Sequence, residues 1–176
     1  NLSWEKFSRI NNQLYDLNGV KPIISISRNY PYKENYTHIL GYVSQANEKD
    51  ISSNKIVKDK FVQGLKVGKI GLEKSFEDTL IGDNSIERYE VNAYGRRISQ
   101  LAFKNGNKGE TIKLTIDTEI QQFANQLLAE KAGSICVMDI FTGQVIAMHS
   151  SPSFDPNAFV FGISQDEWQL IRNNPM

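Results

Sequence analysis

The chain has 176 residues, 20 basic and 20 acidic, for a formal net charge of zero, and is 40% hydrophobic. That length fits one domain or two small lobes with a buried core. The balanced, interleaved charge argues against nucleic acid as a partner. A single cysteine, Cys136, rules out an intramolecular disulfide.

Residues 3–17 predict a helix, with Ser3 as N-cap and Trp4, Phe7, Ile10, Leu14 and Leu17 at helical spacing. Ile23–Arg28 predicts a strand by its β-branched content. Tyr30-Pro31-Tyr32 breaks regular structure, and a short helix is expected over Tyr36–Val43. Residues 44–60 are polar and mixed in charge, and read as a solvated loop. Gly68 and Gly71 precede a helix at about 72–81, and two strands at 86–92 and 97–103 flank the hairpin signal Asn92-Ala-Tyr-Gly95. Thr111–Ile116 alternates as a strand. Asp117 then caps a helix with Ile120, Phe123, Ala124, Leu127 and Leu128 on one stripe, stopped by Gly133. Ser134–Ile140 and Gln144–His149 form a hairpin around Phe141-Thr-Gly143, in which Cys136 reads as a small buried hydrophobe. A last helix covers Gln165–Arg172. The order is mixed, without βαβ alternation, so the expected fold class is α+β.

Chemistry-bearing motifs are sparse. His38 and His149, with one distant cysteine, do not form a metal-ligand cluster, and no cofactor is expected. Ser3-Trp-Glu-Lys6 and Ser52-Ser-Asn-Lys55 match S-x-x-K, but a nucleophilic serine needs a buried helix start and separate S-x-N and K-T-G walls. Ser3 reads as a surface cap, Ser52 as a loop residue, and no K-T-G follows. Gly68-Lys-Ile-Gly71 is not a P-loop. Glu77 and Asp78 are adjacent on a helix and point apart, so they are not an acid/base pair. No catalytic residue is predicted, and the chain reads as a positioning or interaction module. No run approaches the roughly 18 apolar residues of a membrane span. Both ends fall inside amphipathic patterns and resemble cut points.

Larger patterns are more specific. Arg28-Asn-Tyr30-Pro31 followed by His38-Ile-Leu-Gly41-Tyr42-Val resembles the R-x-Y-P and H-x-L-G-Y-V segments of class B penicillin-binding proteins. Gly68-Lys-Ile-Gly71-Leu-Glu73 through Phe76-Glu to Gly82, then Val91-Asn-Ala-Tyr-Gly95-Arg96, resemble the family's next two blocks. Leu114-Thr-Ile-Asp117, with Gln121 downstream, and Val137-Met-Asp139 through Asp155-Pro-Asn157 resemble the start of its transpeptidase domain. The elongation branch of that family, the penicillin-binding protein 2 type, fits better than the septal branch, which is kept as the alternative.

The resemblance implies an elongated pedestal domain over 1–114 and an incomplete transpeptidase start over 115–176. It implies a location on the periplasmic side of the bacterial inner membrane, anchored by an upstream helix. It implies contact with the membrane glycosyltransferase of the rod-shape system and with elongation scaffold proteins. Peptidoglycan would be met only through the catalytic domain. Structural or partner-contact candidates are Arg28, Tyr30, Pro31, His38, Gly41, Tyr42, Gly71, Glu73, Gly82 and Arg96; Arg28, Glu73 and Arg96 are expected to form an ion-pair network, and Tyr30-Pro31 to serve packing. A small complete enzyme using Ser52 or Ser3 is one competing reading. A self-associating module, such as a homodimer, is the other, because the 134–149 hairpin is apolar on both faces and would leave edges open if its sheet is incomplete.

Overall fold

The computed structural model describes residues 4–17, 19–20, 27–62 and 64–173, and most of its elements follow from local signals. Helix α1 spans Trp4–Asn11 and gives way to a 3-10 turn at Leu14–Asp16. The expected helix is therefore shorter, ending at the Asn11-Asn12 pair, a residue type that favours helix ends and turns over helix interiors. Ser3 and most of the expected strand at 23–28 lie outside the described residues.

The expected helix over 36–43 is also corrected. A 3-10 turn at Lys33–Tyr36 leads into α2, Thr37–Leu40, which Gly41 ends with φ +77°. Val43 already belongs to strand β1, Val43–Gln45. The solvated loop expected over 44–60 is instead ordered. Asn47 and Asp50 form a capping box on α3, Glu48–Ser53, and the Asn54 side chain caps α4, Lys55–Asp59. Val57 of α4 is buried. The charges that suggested a loop are the outer faces of these two short helices.

Strand β2, Lys66–Gly68, pairs antiparallel with β1, placing Val43 opposite Gly68. Helices α5, Gly71–Ser75, and α6, Glu77–Leu80, replace the single predicted helix, with a break at Phe76. Strands β3, Ile86–Val91, and β4, Arg97–Lys104, form the expected hairpin, with register shifts at Arg88/Tyr89 and Glu90/Val91.

The strand expected at Thr111–Ile116 does not form. This stretch is pinned instead by isolated bonds: Glu110 N–H to Thr79 O, Thr115 Oγ1–H to Val145 O, and Asp117 N–H to Ile146 O. These are single bonds from separate residues and not the paired exchange of a ladder.

Asp117 caps α7, Thr118–Leu127, as predicted. The helix stops before Gly133, which opens β5, Gly133–Met138. Strand β5 pairs with β6, Val145–Ser151, and α7 packs on β6. Helices α8, Asn157–Val160, and α9, Gln165–Arg172, follow. Three two-stranded sheets result among the described residues.

Two burial expectations fail. Of the α7 stripe, Ala124 is buried and Leu128 half-buried, but Ile120, Phe123 and Leu127 are 40%, 58% and 51% exposed, and the helix buries the polar Gln121 beside Ala124. Cys136 is exposed, since β5 turns most of its residues outward. A buried apolar cluster joins Tyr30, Val43 and Val160, with Leu40 against it. It therefore unites residues far apart in sequence.

Candidate functional site

The first buried polar group grows from the Arg28–Pro31 block. Arg28 grips Glu73 with both prongs of its guanidinium, Nε to Oε1 at 2.8 Å and Nη2 to Oε2 at 2.9 Å. The Tyr30 hydroxyl donates to Glu73 Oε1 at 3.1 Å and accepts from Val43 N–H at 3.1 Å. Glu73 is buried, so these partners supply the compensation that a buried carboxylate needs. Burial, then the neighbouring Glu73 carboxylate, push the Tyr30 phenol well above its usual range. Glu77 accepts from Gly68 N–H, and burial pushes its carboxyl up as well. Asp78 turns away to accept from Asn54 Nδ2, so the two carboxylates do point apart.

Beside this group lies a cleft of about 670 Å³, lined in part by Arg28, Lys66, Glu73, Glu77, Leu80 and Asn84. Ser52, the residue considered as a nucleophile, is on exposed α3 and donates to Lys49 O.

The second group is a joint between the 30–42 stretch and residues 118–168. Asn157 holds the Tyr30 backbone from both sides: Tyr30 N–H donates to Asn157 Oδ1, and Asn157 Nδ2 donates to Tyr30 O, both at 2.9 Å. Asp155 Oδ1 orients Asn157 by accepting from its N–H and its Nδ2. Gln121 is fully buried and does the same on α7. Its Nε2 donates to Asn35 O at 2.7 Å and Met148 O at 2.9 Å, while Met148 N–H donates to its Oε1 at 2.8 Å. The Tyr36 hydroxyl donates to Thr118 Oγ1, the Thr37 hydroxyl to Phe154 O, and His38 Nε2 lies 3.0 Å from Pro152 O. Tyr42 stacks on Phe159 with ring centres 4.2 Å apart, and Phe154 and Trp168 meet Phe159 edge-on.

The structure thus gathers Tyr30, His38 and Tyr42 at the joint and Arg28 and Glu73 beside it. Pro31 is exposed in the turn that follows Tyr30. Gly41 and Gly71 form the closest approach between α2 and α5: a Cβ on Gly41 would lie 2.0 Å from Ile70 O. Gly82 sits against Asn107 and Gly109 in the turn before β3. Arg96 is the exception. It lies in the exposed β3–β4 turn, where its N–H donates to Asn92 Oδ1. Among the described residues its guanidinium takes no part in the Arg28–Glu73 pair, so the expected three-member network is a two-member pair plus Tyr30. Sequence reasoning placed Gln121 and Asn157 in family blocks but did not mark them as joint residues. The signal for Gln121 was a polar residue three before Ala124 on an amphipathic helix, on the face that turns inward.

Among the described residues no cluster of metal-ligating side chains forms, and no helix is long and apolar enough to cross a membrane. A family model described as the penicillin-binding protein dimerisation domain matches residues 1–114. The chain is 40% identical over 150 residues to the peptidoglycan D,D-transpeptidase MrdA of Escherichia coli K12, covering 84% of this chain and 24% of that protein. It is 35% identical to the protein of that name from Acinetobacter baumannii, over 99% of this chain and 26% of the relative. The chain therefore spans about a quarter of the length of these curated relatives. The structure superposes on penicillin-binding protein 2 of Helicobacter pylori, solved in complex with MreC, with a TM-score of 0.81 and 28% identity, over 98% of this chain and 32% of that one. It also resembles Pseudomonas aeruginosa penicillin-binding protein 2, with a TM-score of 0.67 and 31% identity, over 88% of this chain and 30% of that one. The mixed helix-and-strand architecture and the resemblance of sequence agree, and the chain belongs to the penicillin-binding protein family through its dimerisation domain.

Proposed function

We propose that this chain is the pedestal portion of a penicillin-binding protein 2-type peptidoglycan D,D-transpeptidase, acting in cell elongation by holding the catalytic domain in a fixed orientation. In this reading residues 1–114 form the pedestal and 115–176 open the transpeptidase domain. The supporting observation is the two-sided grip of Asn157 on the Tyr30 backbone, which crosses that boundary, together with the second grip by Gln121. A joint made of bidentate amide contacts, one of them from the fully buried Gln121, resists rotation in a way that apolar packing alone does not.

The reading extends to partners and place. The Helicobacter pylori relative is in complex with MreC, so a scaffold protein of that kind is the first partner proposed, with the rod-shape glycosyltransferase the second. The location proposed is the periplasmic side of the inner membrane, with an anchor upstream. Arg28, Tyr30, His38, Gly41, Tyr42, Gly71, Glu73 and Gly82 act as structural residues of the pedestal and joint; Pro31 and Arg96, both exposed, are the ones left free for partner contact.

The test is Asn157→Ala in the full-length protein. Acylation by a labelled β-lactam should stay within about twofold, while cross-linking of polymerised glycan falls by about tenfold or more, because ångström-scale misplacement costs at least that much. With circular dichroism unchanged, loss of neither activity, or equal loss of both, would overturn the positioning role.

A further inference from the structure

His149 is the one histidine buried at the joint. It lies on β6 opposite Ile135, next to Met148, whose backbone Gln121 holds from both sides. It is 2% exposed, and its Nε2 has no hydrogen-bond partner; the buried Asn35 Oδ1 is likewise unpartnered. The joint thus contains two unsatisfied polar atoms on the two sides that Gln121 ties together, and an unsatisfied buried group is a site of stored instability.

The surroundings of the ring are short of negative charge. From the 3-10 turn it feels the Asn35 backbone, and from α2 it feels His38. From α7 the residues buried against β6 are the neutral Gln121 and Ala124, and across the sheet stands Ile135. No carboxylate acts on it among these groups, so a second ring proton would bring an uncompensated charge into a dry site.

We propose that His149 makes this joint a proton-sensitive latch: adding a proton to its ring breaks the Gln121–Asn35 contact and with it the Gln121–Met148 grip, freeing α7 and β6 from the 33–40 stretch. The proposal rests on the joint's positioning role and adds to it a means of regulation by the pH of the surrounding compartment.

The direction is set by burial, which holds the ring below the usual histidine range against the weaker upward pull of the Asn35 backbone; His38 adds repulsion. A histidine whose native value is depressed contributes full stability above its unfolded value, about 6.5. That stability is lost as pH falls below about 6.5 toward the native value. One proton allows at most about a tenfold change in the opening equilibrium for each pH unit.

The experiment is amide hydrogen exchange, expressed as protection factors, between pH 7.5 and 5 on the whole chain, with a parallel NMR titration of both histidine rings. Protection at the Met148 amide should fall by up to about tenfold per pH unit below about 6.5, while amides of the β3–β4 hairpin hold theirs. His149→Gln should abolish that slope, and the His149 ring should titrate below the ordinary histidine value of about 6.5. An unchanged slope in H149Q, a His149 ring titrating at or above the ordinary value, or a parallel fall in the hairpin amides would each overturn the latch. Asn157→Ala perturbs the joint at every pH, so failure of the positioning role and failure of the latch give different results.

Discussion

Tyr30 illustrates how much one side chain can settle. Its ring is in the apolar cluster with Val43 and Val160, its hydroxyl bridges Glu73 and the Val43 amide, and its backbone is held by Asn157. Removing the hydroxyl leaves a buried Val43 N–H without a partner while Arg28 still satisfies Glu73. Tyr30→Phe should therefore cost roughly 1–3 kcal/mol, measured by urea unfolding at neutral pH. The phenol also carries a pH signature. Its native value is raised above the ordinary one of about 10, so its contribution is intact below about 10 and is lost as pH rises beyond it. Wild-type stability should fall more steeply than that of Y30F on the alkaline side; equal slopes would mean that the hydroxyl is not held as described.

At the scale of elements, the crossing of α2 and α5 depends on glycine for two reasons that can be separated. Gly41 has φ +77° and its missing Cβ would meet the Ile70 carbonyl at 2.0 Å, whereas Gly95 in the hairpin turn has φ +74° with open space around it. Gly95→Ala should lose about 1–2 kcal/mol, the cost of a left-handed conformation alone. Gly41→Ala carries the same strain plus a backbone clash that only separation of the two helices relieves, so its thermal midpoint should drop well below that of G95A. Equal midpoints would show that the approach at Gly41 adjusts without cost. The 44–60 stretch resembles a loop in sequence because its short helices, fixed by Asn47 and Asn54 caps, hold few apolar residues, so periodicity is too brief to register.

For the whole molecule, the exposed α7 stripe is the outstanding feature. Ile120, Phe123 and Leu127, with Phe141 at 93% and Ile140 at 85% exposure on the β5–β6 turn, present apolar area unusual for an isolated domain. The chain by itself should associate with rising concentration, and Phe123→Glu should reduce that association without lowering stability, since Phe123 is already exposed. Sedimentation equilibrium checks it; a wild-type chain that stays monomeric at high micromolar concentration would count against the self-associating reading.

What the sequence determined by itself is the order and type of elements wherever signals are local: the Asp117 cap, the β3–β4 and β5–β6 hairpins, helix α9, and the family blocks. It also marked Arg28, Tyr30 and Glu73 before anything placed them together. Only the tertiary structure decided that Arg28 and Glu73 pair without Arg96, that α7 turns Gln121 inward and Ile120, Phe123 and Leu127 outward, and that Thr111–Ile116 stays out of a ladder. The physical reason is range. Caps, turns and periodicity act over a few residues, whereas the Asn157–Tyr30 contact spans 127 positions and the Gln121–Asn35 contact 86. Which face of a helix is buried depends on what arrives opposite it, and that partner is fixed by the fold.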